Sequence, residues 1–178
     1  MRKGKIVTMD GEEVIISVRI KSPRPGQFVT LILPGIGEFP FLIADYKKGN
    51  LKLKIHSRKI REEISNRKVV YIKGPLGSPI KIGRSVLLLG ENDSLSELEF
   101  IINYCKSKGI KLRIENNMSV KGEEDTVIIT SPDYARRADR KRVYVYFRNV
   151  KMNCMLGVCG ECLVGGKLVC KDGPFLKI

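Results

Sequence analysis

Residues 154–170 read Cys154-Met155-Leu156-Gly157-Val158-Cys159-Gly160-Glu161-Cys162-Leu163-Val164-Gly165-Gly166-Lys167-Leu168-Val169-Cys170, a C-x4-C-x2-C-x7-C spacing that holds four of the chain's five cysteines. Thiolates are soft ligands suited to tetrahedral metal sites, and C-x4-C-x2-C with a distant fourth cysteine is the plant-type [2Fe–2S] spacing. The first three cysteines of such a site wrap a loop around one side of the cluster. Gly157 and Gly160 fall inside that loop, where a missing Cβ lets backbone amides turn toward sulfur. Structural zinc is the competing reading, although zinc modules commonly present two close cysteine pairs, whereas here a triplet faces a single cysteine. Disulfides are the third reading, disfavoured in a chain with no visible secretion signal. Either metal would staple a module too short to fold on its own core.

Outward from this tail, the 178 residues carry 33 Lys+Arg against 19 Asp+Glu, a net charge of +14. With 43% hydrophobic and 29% charged residues the composition is that of an average globular protein, which excludes disordered, collagen-like and low-complexity chains. The length supplies one medium domain or two small ones. The longest apolar runs, 86–89 and 127–129, fall far short of the roughly 18–20 residues that cross a bilayer, so no membrane span is expected. Asp10, Glu12 and Glu13 stand where a signal peptide would be apolar, and the expected location is cytoplasmic.

The first half reads as strands. Residues 16–20 alternate, 28–33 form an apolar run between Pro25-Gly26 and Pro34-Gly35, 51–56 alternate strictly, and 69–72 precede Gly74-Pro75. This pattern predicts an antiparallel barrel or sandwich over residues 1–80. His56, the only histidine, is expected as a solvated strand-end residue. Ser57 is placed to N-cap a short helix over 58–64, either a phosphate-holding N-terminus or a plain connecting helix. After Gly83 the rhythm changes. Residues 86–89 read as a buried strand, 93–108 as an amphipathic helix, and 110–114 and 127–129 as two more strands, a βαββ fragment of a parallel sheet. Cys105 lies among apolar residues of that helix and reads as core. Arg136, Arg137, Arg140, Lys141 and Arg142 form a basic run before a strand at 143–147. Such a run is either a solvated face or a docking patch for an acidic partner.

The segment Cys154–Cys170 followed by Lys171-Asp172-Gly173-Pro174-Phe175 resembles the tail of the electron-transfer subunit of dihydroorotate dehydrogenase, a relative of ferredoxin–NADP reductases. Pro25-Gly26-Gln27-Phe28-Val29 and Gly74-Pro75-Leu76-Gly77 are similar to segments of the reductase flavin barrel. The resemblance implies β plus α/β architecture. It places a FAD-barrel-like antiparallel domain at 1–82, a shortened nucleotide-domain-like parallel α/β segment at 83–148 and a [2Fe–2S] loop module at 149–178. It implies Cys154, Cys159, Cys162 and Cys170 as cluster ligands, and Pro40, Ser57, Gly74, Pro75, Leu76 and Gly77 as FAD contacts. It further implies a heterotetramer with an FMN-containing catalytic subunit, passing electrons from dihydroorotate oxidation in pyrimidine biosynthesis. No residue here acts as acid or base, because the cofactors carry that chemistry.

The chain also departs from the family pattern. The flavin motif R-P-x-S-[IL] aligns with Phe39-Pro40-Phe41-Leu42-Ile43, and His56-Ser57 stands in place of glycine-threonine. A charge-assisted phosphate bond and a ring hydrogen bond are thereby lost. The glycine-rich nucleotide turn is reduced to Gly90-Glu91-Asn92-Asp93-Ser94, and Ser131-Pro132 replaces Cys-Gly-Pro, so NAD is not expected to bind. The expected acceptor is FAD or an external non-NAD oxidant. A zinc-stapled basic nucleic-acid-binding protein is the alternative. Its basic residues are spread along the chain and aromatics make up only 7%, against the interleaving such proteins use.

Overall fold

The computed structural model describes residues 1–90, 92–116, 123–131 and 142–178. Seven strands, β1 (Arg2–Asp10), β2 (Glu13–Ser17), β3 (Phe28–Leu33), β4 (Gly37–Leu42), β5 (Asp45–Lys47), β6 (Asn50–Lys54) and β7 (Val69–Leu76), form one sheet in the order β4-β3-β7-β1-β2-β6-β5. Every pairing is antiparallel. Alternation puts Val14 and Ile16 of β2, Leu51 and Leu53 of β6, and Val70 and Ile72 of β7 into one buried cluster with Val29, Leu31 and Leu33 of β3. Phe39 and Phe41 of one edge strand and Tyr46 of the other pack on the same cluster. A sheet whose two edges share one core is curled, as the strand pattern predicts.

Three of these strands escape sequence reading. β1 carries exposed Val7 and Met9 outward and shifts register between Ile6 and Thr8, which breaks its alternation. β4 and β5 are edges of mixed polarity, where packing on the core rather than propensity decides. Helix α1 (Arg58–Ser65) forms where the sequence predicts it, and the Ser57 side chain accepts the Ile60 N–H at 3.4 Å.

The second sheet has the order β14-β11-β10-β8-β9, with β8 (Ser85–Leu89), β9 (Lys111–Glu115), β10 (Thr126–Ile129) and β11 (Val143–Tyr146) parallel and β14 (Phe175–Lys177) antiparallel at one edge. β10 and β11 are buried throughout, as parallel strands covered on both faces are. The single helix expected over 93–108 is instead α2 (Asn92–Leu95), a 3₁₀ turn (Ser96–Leu98) and α3 (Glu99–Ser107). The tightened turn accompanies the burial of Glu97 beside Leu98, which a continuous amphipathic helix would not require. Cys105 is buried on α3 with Leu98 and Ile101. Among the described residues no helix is long and apolar enough to cross a membrane.

Candidate functional site

The tail folds as a loop over 154–162, a hairpin of β12 (Leu163–Val164) and β13 (Lys167–Leu168), and the short helix α4 (Val169–Asp172). The hairpin turns on Gly165 and Gly166, both at positive φ. Leu163 N–H donates to Gly160 O and Val169 N–H to Cys162 O, each at 3.1 Å, so the second half of the tail returns beside the first. Cys162 and Cys170 are buried, Cys154 is half-buried and Cys159 is exposed.

Within the loop the four thiols fall into pairs. Cys154 lies beside the Cys159 thiol, and the N–H groups of Leu156, Val158 and Cys159 converge on it. Those amides, more than the neighbouring thiol, pull the Cys154 pKa down to about 6. Cys170 lies beside the Cys162 thiol, and burial, with that neighbour, pushes it up to about 11 against the Gly157 N–H. Leu156 N–H reaches Cys154 Sγ and Cys170 N–H reaches Cys162 Sγ, each at 3.4 Å. Gly157 and Gly160 take φ of 79° and 77°, the left-handed turn glycine allows. Among the described residues no three His, Cys, Asp or Glu side chains converge tightly enough for a single metal ion.

The module is fixed to the barrel by apolar packing. Phe28 of β3 shares a buried cluster with Met155, Cys162, Val169, Cys170 and Leu176, and Thr30 Oγ1 donates to Met155 Sδ at 2.9 Å. Gly74-Pro75-Leu76-Gly77 serves this joint. A Cβ on Gly77 would stand 1.9 Å from Gly173 O, and Ser78 Oγ donates to Lys171 O at 3.1 Å.

Pro40 and Ser57 are elsewhere, lining a cavity of about 180 Å3 with Phe41, Lys54, His56, Glu97, Tyr146 and Arg148. The 74–77 turn is not among the residues that line this cavity. Several of these lining side chains bond one another. Buried Glu97 accepts the Tyr146 O–H at 2.7 Å, while Glu97 Oε1 lies 2.6 Å from His56 Nε2 and 2.5 Å from Arg148 Nη2. His56 Nδ1 meets Glu12 Oε2 at 2.7 Å. His56 is exposed at a strand end as expected, but it bridges two carboxylates rather than facing water alone. Burial first, then the Glu97 carboxylate, holds the Tyr146 hydroxyl well above the ordinary phenol range. Sequence reasoning passed over Glu97, Tyr146 and Arg148. The one signal was that Glu97 falls in phase with Ile101 and Cys105 on the apolar side of the 93–108 pattern.

A cavity of about 410 Å3 opens past the ends of β10 and β11, lined by Ser94, Thr130, Ser131, Tyr146, Phe147, Arg148, Asn149 and Val150. It lies at the carboxyl ends of the parallel strands, where α/β sheets place ligands. Gly90 packs against its rim: a Cβ there would meet Thr130 Oγ1 at 2.5 Å and Ser94 Oγ at 3.1 Å, and those hydroxyls bond each other at 3.0 Å. Glu91 lies outside the described residues, as do Pro132 and the basic-run residues Arg136, Arg137, Arg140 and Lys141; Arg142 is described.

No family model matches the chain. It is 29% identical over 194 residues to the probable dihydroorotate dehydrogenase B (NAD(+)), electron transfer subunit of Pyrococcus furiosus, covering 84% of this chain and 78% of that one. The protein of the same name from Thermococcus kodakarensis is 27% identical over 202 residues, with 86% and 84% covered. Among solved structures the chain is similar to an NADH-dependent reduced ferredoxin–NADP oxidoreductase studied for flavin-based electron bifurcation, at a TM-score of 0.70 and 20% identity over 98% of this chain and 87% of that one. A ferredoxin reductase of carbazole 1,9a-dioxygenase matches at a TM-score of 0.52 and 17% identity, covering 82% of this chain and 48% of its own. The fold is thus that of the ferredoxin–NADP reductases, and the homologues carry the electron-transfer-subunit name.

Proposed function

We propose that this chain is the electron-transfer subunit of a dihydroorotate dehydrogenase complex in pyrimidine biosynthesis, holding a [2Fe–2S] cluster on Cys154, Cys159, Cys162 and Cys170. The observation that carries the reading is the two-and-two pairing of thiols in an amide-lined loop on a reductase-type barrel. Two pairs match two metals with two thiolates each, and the C-x4-C-x2-C-x7-C spacing, a triplet facing a single cysteine, favours the cluster over zinc. When bound, the cluster supplies one-electron steps between two-electron donors and acceptors.

The chain's own residues set the cluster's surroundings. Amides of Leu156, Gly157, Val158 and Cys159 offset negative charge on sulfur, while Phe28, Met155, Val169 and Leu176 keep water from the barrel side. Leu156 and Val158 are 59% and 79% exposed beside the cysteines, an apolar rim suited to an FMN-containing catalytic subunit. The assembly proposed is a heterotetramer in the cytoplasm.

The cleft at Pro40 and Ser57 does not fit FAD as it stands. At about 180 Å3 it falls below the roughly 300–1,000 Å3 of sites for ligands of ordinary size, and Glu97 of its lining is engaged by Tyr146, His56 and Arg148. FAD is therefore held weakly or not at all. The glycine-rich nucleotide turn is reduced to Gly90 alone, so in this reading NAD is not the acceptor, and electrons leave to a quinone, a redox protein or oxygen. Co-expression with the catalytic subunit tests this: the complex should reduce one-electron dyes with dihydroorotate and form no NADH. Subunits that migrate separately, or NADH formation at the dye rate, overturn it.

A further inference from the structure

A cavity of about 420 Å3 lies at the opposite end of β11 from the crevice, lined by Ser78, Pro79, Lys81, Arg142, Tyr144, Lys167, Asp172, Phe175 and Lys177. Neither the proposed cluster nor the flavin cleft uses it. Four cations face it from four segments: Lys81 from the link between the two sheets, Arg142 at the start of β11, Lys167 from β13 and Lys177 from β14. Among the described residues none of the four is in a close ion pair, although Arg142 is near enough to Asp125 to be the weakest of the influences that lower its pKa. The one carboxylate of the lining, Asp172, is engaged by the Leu168 N–H at 2.9 Å. Four cations less one carboxylate leave a net charge of +3 around the space.

Like charges this close repel unless a counter-charge joins them. The floor is built rather than open: Tyr144 is 6% exposed, and its hydroxyl accepts the Lys81 N–H at 3.2 Å, leaving its own proton without an acceptor among the described residues. The Lys167 ammonium donates to the Lys177 carbonyl, which ties β13 to β14.

We propose that this cavity binds a diphosphate group, either free inorganic pyrophosphate or the diphosphate of a nucleotide. Two linked phosphoryl groups carry roughly three negative charges near neutral pH, the complement of the lining. The Arg142 guanidinium offers a planar fork for phosphate oxygens and the lysines compact point charges. The volume lies in the range of small-ligand sites, about 300–1,000 Å3. Because Lys167 sits on the hairpin between Cys162 and Cys170, the ligand would brace the cysteine module from outside.

Titration of the full chain by calorimetry with pyrophosphate and with ADP, at about 0.15 M salt, tests this. Saturable binding is expected with at least one probe, tighter for ADP if the source is a nucleotide and equal or tighter for pyrophosphate if it is not. Lys81→Gln with Lys177→Gln should weaken binding about tenfold or more, and Arg142→Gln alone should weaken it measurably. The charge-matched control Lys3→Gln with Lys47→Gln, both exposed and outside the cavity, should leave it nearly unchanged. Absence of saturable binding to both probes, or an equal loss in the control, overturns the proposal.

Discussion

The barrel has two joints that differ in how much charge they carry. Toward the cysteine module it presents Phe28 and Thr30 to Met155, Val169 and Leu176, with buried sulfur among them. Toward the second sheet it adds charge to the packing of Leu42 and Phe100: Lys52 bridges Glu13 at 2.9 Å to Glu99 of α3 at 2.8 Å, Asn103 Nδ2 donates to Asp45 Oδ2 at 3.0 Å, and His56 stands between Glu12 and Glu97. An apolar joint fixes geometry and keeps water from sulfur. A polar joint holds two layers together while its exposed pairs contribute little. The difference separates two tests: the dry joint supports the proposed cluster, and the ionic joint ties the barrel to the second sheet.

The largest effect should come from the ligands. Serine at Cys154, Cys159, Cys162 or Cys170 should abolish or sharply reduce bound iron and its visible absorption, while Cys105→Ser should change neither, since Cys105 is buried on α3 away from the tail. Phe28→Ala comes next. It empties the centre of the dry joint and should cost about 3–5 kcal/mol in denaturant unfolding, with faster cluster loss; a small cost with an unchanged cluster would break the contrast between the joints.

Glu97→Leu acts on the other joint. It strips Tyr146, His56 and Arg148 of their shared acceptor and should cost about 1–3 kcal/mol while leaving the cluster spectrum intact. The smallest effect is one of pH. Lys52, then Lys54, holds the Glu13 carboxyl below its ordinary 4.5 against some burial, so the folded chain takes up that proton less readily than the unfolded one. Its contribution is complete above pH 4.5 and lost as the pH falls below it. Thermal unfolding should show Glu13→Gln to be less stable than the parent by at most about 1 kcal/mol near neutral pH, a gap that closes on acidification.

How much of this was legible follows from where the information lies. The runs in β8, β10 and β11, the Ser57 cap and the cysteine spacing are local patterns, and they could be read directly. The edge strands β4 and β5 carry no such pattern because the core they cover is supplied by other strands. The Thr30 to Met155 contact joins residues 125 positions apart, and Glu97 becomes intelligible only when Tyr146 and Arg148 stand beside it. Pro40, Ser57 and the 74–77 turn show the same limit of local patterns. Their likeness to motif segments is local, but in this fold the turn packs under Gly173 while the other two face the ionic cleft.

The most direct test of the central claim is iron and acid-labile sulfide analysis of the anaerobically purified chain, read together with the electron paramagnetic resonance spectrum after reduction. A [2Fe–2S] cluster on the four cysteines predicts about two irons and about two sulfides per chain and a one-electron paramagnetic signal that disappears in Cys162→Ser. A colourless chain with about one zinc, no labile sulfide and no signal on reduction would contradict it.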